Sequence, residues 1–114
     1  MRSFNPLAVT ILALCLAPAA QAACEYPPEV KLPDGKSATQ EEISAANAAV
    51  KKYLADMEAY TTCLDADIAA LPVEQQTPEA KAMHVKRYNA AVDAMEATAN
   101  SFNEQLRAFK AAKK

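Results

Sequence analysis

Glycine, tryptophan and histidine are nearly missing from this chain: one glycine, one histidine and no tryptophan occur in 114 residues. The single glycine stands in a Pro33-Asp34-Gly35 turn, so no glycine-rich loop exists to cradle a phosphate. A serine nucleophile elbow and a CxxC redox motif are absent as well. His84 alone supplies one metal ligand, where a site needs several that converge. No run of alternating β-branched residues suggests a strand. These absences argue against an enzyme, against a cofactor and against a sheet.

Charge removes a further class. Twelve Lys and Arg stand against 14 Asp and Glu, and the basic residues do not gather on one face, so no nucleic-acid footprint is expected. The abundant residue is alanine, which has the best helix propensity and lets helix axes approach closely. An all-α chain is therefore expected.

The chain opens with Met1-Arg2-Ser3-Phe4-Asn5-Pro6, one positive charge and no acid, then runs almost wholly apolar from Leu7 to Ala20. An apolar stretch of about 14 residues followed by Ala20-Gln21-Ala22 has the form of a secretory signal peptide, 1–22, cleaved after Ala22. A spanning helix needs about 20 apolar residues, and Pro18 and Gln21 interrupt this one. No second apolar run follows, so the mature chain is expected to have no transmembrane segment and to be periplasmic or secreted. Cleavage leaves 92 residues, enough for one domain with a modest core, and the loss of Arg2 moves the net charge from −2 to −3.

Cys15 departs with the signal, leaving Cys24 and Cys63 as an even pair in an oxidising compartment, which predicts a disulfide. The alternative is a lipoprotein acylated at Cys24. Small residues precede that cysteine, but Gln21 sits where an aliphatic residue belongs, and lipidation would strand Cys63 as an odd thiol.

Residues 23–38 read as an extended, proline-punctuated lead, with Pro27-Pro28 forbidding helix and Tyr26, Val30 and Leu32 available to lie against something. A hairpin over 39–112 follows. Its first helix, about 40–71, begins at the capping box Thr39-Gln40-Glu41-Glu42 and ends before Pro72. Ile43, Ala46, Val50, Tyr53, Met57, Tyr60 and Leu64 form its heptad stripe, which slips at Asp67 before Ile68 and Leu71. The second helix, about 78–112, opens at Thr77-Pro78-Glu79 and carries a stripe of Val85, Tyr88, Val92, Met95, Ala99, Phe102, Leu106 and Phe109. A short connection makes the pair antiparallel, setting Tyr60 near Tyr88, Met57 near Val92, Val50 near Ala99 and Ala46 near Phe102.

Two helices leave much of each stripe in water, so either the lead covers the groove or two hairpins meet as a four-helix bundle. Cys63 lies about 36 Å along the first helix at about 1.5 Å per residue, and an extended lead spans about 50 Å. The bridge thus predicts a lead drawn back over the seam: a coiled-coil-like two-helix hairpin with its extended N-terminal lead tied down by one disulfide.

His84 is expected at the surface or hairpin edge, having no acid three or four residues away. Met57 and Met95 read as core fillers rather than copper ligands, with Met83 out of register. Paired acids such as Asp56-Glu58 and Asp65-Asp67 point in different directions on a helix and read as solvated surface. Tyr53, Tyr60 and Tyr88 should face one another with their hydroxyls wet; this suits intramolecular packing and equally makes them a candidate interaction surface.

Pro33-Asp34-Gly35, Thr39-Gln40-Glu41-Glu42, Val50-Lys51-Lys52-Tyr53, Tyr60 and Cys63-Leu64 together resemble small exported proteobacterial proteins of unknown function. In these a cysteine-proline lead and P-D-G turn precede a helical hairpin. The resemblance spans about residues 24 to 110, implies export and the hairpin, and carries no activity or catalytic residues.

The expected function is that of a non-enzymatic exported helical protein, binding another envelope protein or itself. A small-ligand or metal carrier using the hairpin groove is the alternative. Envelope-surface association through Arg107, Lys110, Lys113 and Lys114 is a third reading.

Overall fold

A threonine hydroxyl and a glutamate carboxylate start the first helix. In the computed structural model, which describes residues 24–113, Glu42 N donates to Thr39 Oγ1 at 3.1 Å and Thr39 N donates to Glu42 Oε2 at 2.8 Å. Two of the otherwise orphaned N–H groups at the helix start are satisfied in this way. Helix α1 runs Gln40–Ala70 and stops where Pro72 forces Leu71 to an extended ψ of 139°. The signal-peptide and cleavage readings fall on residues outside those described.

One 3₁₀ turn, Val73–Gln75, carries the chain around, and Gln76 Nε2 closes the corner by donating to the Leu71 carbonyl at 2.9 Å. Helix α2 then runs Pro78–Ala112, with Thr77 Oγ1 accepting from Ala80 N at 3.1 Å and Pro78 in the first turn. The fold among the described residues is all-helical, the two helices packed antiparallel as a hairpin.

Every residue of the α1 stripe from Ile43 to Leu64 is buried, and Met57 is completely so. The core falls into three clusters along the seam. Ala38, Ile43 and Phe109 close the open end, and Ala46, Val50 and Phe102 fill the middle. Tyr53, Met57, Tyr60, Leu64 and Ala91 lie toward the tip. Large residues meet small ones across the seam, the interdigitation that close packing requires.

The lead is the third layer. Val30 packs on the middle and tip clusters and Leu32 on the middle one, while Tyr26 meets the Tyr60 ring edge-on at a centroid distance of 5.2 Å. Its turn is built on Asp34, whose carbonyl accepts from Ser37 N and Ala38 N and whose Oδ1 accepts from Lys36 N at 3.0 Å. Gly35 N donates to Gln105 Oε1 at 2.8 Å, so the turn is anchored to α2.

On α2 the observed seam differs from the stripe of large apolar residues. Ala91, off that stripe, has no exposed surface, whereas Val85, on it, is 53% exposed. The lead lies on the Ala91 side: Cys24 and Val30 pack against the cluster that contains Ala91, together with Ala94 and Met95 of α2. It leaves Val92, Ala99 and Leu106 half-covered on the far side.

Candidate functional site

Three features converge on the half of the hairpin nearer its tip: the clip that holds the lead, the tyrosines beneath it, and a cleft where the helices end. Cys24 and Cys63 are joined as a disulfide with their Cα atoms 5.6 Å apart. Asp67 follows Cys63 by one helical turn on the same face of α1, and its Oδ2 lies 3.1 Å from Cys24 Sγ. A bridged sulfur carries no proton, so the carboxylate rests against the disulfide without receiving a hydrogen bond from it. The two sulfurs and a carboxylate oxygen of Asp67 all lie within 4.8 Å of one another.

The structure divides the three tyrosines expected to form a surface. Tyr53 and Tyr60 are buried under the lead, whereas Tyr88 is half-buried at the far edge, its ring tilted toward that of His84 at 6.0 Å. Lead residue Tyr26 completes the group on the covered side. Burial, then the Tyr53 hydroxyl beside it, hold the Tyr26 phenol above its ordinary value of 10.0. Nearly half of the side chain remains in water. Among the described residues no buried side-chain nitrogen or oxygen lacks a partner, and the buried Thr61 hydroxyl donates to the Glu58 carbonyl at 3.0 Å.

His84 sits at the hairpin edge with an acid the helix-local pattern does not reveal. Its Nε2 lies 2.8 Å from Asp65 Oδ1, across the seam rather than along α2. The expected register holds the signal: eight residues on from Met57 and eight back from Val92 are Asp65 and His84. The pair spans the two helices near the tip, with Asp65 largely exposed.

Beside it opens a cleft of about 800 Å³. Leu64, Ile68 and Leu71 form one wall, Ala80 and Met83 the other, and Asp67, His84 and Arg87 supply charge and polarity at its rim. Val85 stands in a shallower depression with Tyr88, next to this cleft. Met83 is 48% exposed and Val73, on the connecting turn, is 83% exposed. Of the C-terminal cations, Lys113 lies over the Phe109 ring at 5.2 Å. No described helix is long and apolar enough to cross a membrane.

Compared with protein-family models, curated proteins and solved structures, the chain shows no match to any of them.

Proposed function

We propose that this is an exported, non-enzymatic hairpin protein that acts by binding another envelope protein or a second copy of itself through the hairpin tip. The observation that carries this reading is the distribution of exposed apolar side chains. Four large ones stand in water among the described residues, and three of them, Val73, Met83 and Val85, lie on the connecting turn or in the first turns of α2. Tyr53 and Tyr60 are occupied by the lead, so a partner has the tip rather than the tyrosine seam to engage. The amino-terminal signal pattern supports export to the periplasm or beyond, and a disulfide is in keeping with an oxidising compartment.

Crosslinking in intact cells tests the reading, with a Met83→Asp/Val85→Asp double variant beside the parent. A discrete crosslinked species that the double variant loses, while its circular dichroism is unchanged, supports binding through the tip. A parent that sediments as a monomer and yields no crosslinked species contradicts it.

The cleft favours a second reading, a small-ligand carrier. Its apolar walls and polar rim have the make-up of a small-molecule site. Thermal-shift screening against apolar and amphiphilic compounds separates the two, since dose-dependent stabilisation lost in Leu71→Asp would favour the carrier.

A further inference from the structure

We propose that, once its sulfurs are thiols, the clip of Cys24, Cys63 and Asp67 is a binding site for one divalent cation of the zinc class. The ligands are the two thiolates and one Asp67 carboxylate oxygen. The inference is independent of protein binding at the tip, and its failure would leave that reading untouched.

Position is the first ground. The two sulfurs, which become zinc donors once they are thiolates, and an Asp67 carboxylate oxygen lie within 4.8 Å of one another. Cys63 and Asp67 project from one face of α1, a turn apart, the spacing at which two helical side chains can share an ion. Two thiolates on a tetrahedral zinc, at about 2.3 Å each, stand about 3.8 Å from one another. Cysteines with Cα atoms 5.6 Å apart reach that separation by rotating their side-chain bonds, with no movement of backbone.

Retention of Cys24 is the second ground. The bridge is not all that holds the lead in place. Tyr26 packs on Tyr60, Val30 enters two core clusters, and Gly35 N is bonded to Gln105. With the sulfurs unlinked, these contacts keep Cys24 beside Cys63 and Asp67, so ordering the third ligand costs little on binding.

Asp67 supplies the third ground. It makes no salt bridge among the described residues, and its carboxylate is turned to sulfur rather than to a lysine or arginine. Two soft thiolates with one carboxylate suit zinc and its neighbours better than calcium or magnesium, which take oxygen donors. One tetrahedral position is left for water.

The chemistry balances with a dithiol as reductant. Two successive thiol–disulfide exchanges open the bridge, the dithiol leaving as its own cyclic disulfide and Cys24 and Cys63 as thiols. The cation then takes both thiolates, and their two protons pass to solvent.

Anaerobic titration of the reduced, reductant-free chain with Co²⁺, a coloured stand-in for Zn²⁺, tests the site. The expected result is one equivalent of Co²⁺ bound with a thiolate-to-cobalt charge-transfer band that Zn²⁺ abolishes. Asp67→Asn should weaken affinity at least about tenfold, and Asp56→Asn on the same helix should leave it unchanged. The disulfide form should show no band. Far-UV circular dichroism recorded alongside guards against a chain that has merely unfolded. The inference is overturned by the absence of the band or by an affinity equal in Asp67→Asn. A reduced chain that loses helix and does not regain it with metal overturns it too.

Discussion

Gly35 lies against the backbone of Gln105, so close that a Cβ at Gly35 would fall 1.9 Å from the Gln105 carbonyl oxygen. The same glycine donates its N–H to the Gln105 side chain. The lead is thus fastened to both helices, to α1 by a covalent bridge near the tip and to α2 by a backbone contact near the open end.

Substituting Gly35→Ala should therefore unseat the lead from α2. The obstacle is main chain and cannot rotate away, and overpacking of this kind costs about 1–3 kcal/mol. Gln105→Ala, which removes only the hydrogen bond, should cost about 1 kcal/mol. Urea unfolding of both variants checks the order; a Gly35→Ala chain as stable as the parent would contradict the contact.

Removing the bridge with Cys24→Ser/Cys63→Ser should destabilise the chain by about 4 kcal/mol, the value for closing a loop of this size in the chain-entropy model. For a domain of this length that is a fall in Tm on the order of 20 °C. Helical content at low temperature should survive, because the helix caps and the seam do not depend on the bridge. Thermal melts followed at 222 nm provide the comparison.

Met57 and Met83 make a matched pair. Met57→Ala truncates the largest fully buried side chain of the core and should cost about 2–5 kcal/mol. Met83→Ala, at a position 48% exposed, should change stability by less than about 0.5 kcal/mol. Equal effects in denaturant titrations would mean that the seam is drawn in the wrong place.

Alkaline pH should loosen the lead through Tyr26. Its phenol is held above 10.0 in the folded chain, so the folded state keeps a proton that the unfolded state has released. That contribution is fully present below the ordinary value and is lost as pH rises through the raised one. Stability of the parent should therefore fall more steeply above about pH 10 than that of Tyr26→Phe. Identical slopes for the two would remove Tyr26 from the account.

How much of the structure is legible in the sequence depends on whether a feature is local. The Thr39 box, the stop at Pro72 and the α1 stripe each rest on spacing within one segment, and all are found where the spacing puts them. The cysteine pair is legible because parity and reach leave one partner. Ala91 is not: its burial depends on where a third element enters, and its methyl group adds little to a hydrophobic stripe. The His84–Asp65 pair escapes any search for acids along the helix, because it forms across the seam. The Gly35–Gln105 approach has no local signature, since it joins residues seventy positions apart.

A chain that is cleaved, exported and clipped is the central claim. Intact-mass spectrometry of the protein recovered from the cell envelope, before and after reduction, examines all three at once. The predicted result is a single species beginning at Ala23 that gains the mass of two hydrogen atoms on reduction. A mass retaining residues 1–22, a lipid on Cys24, or no change on reduction would contradict it.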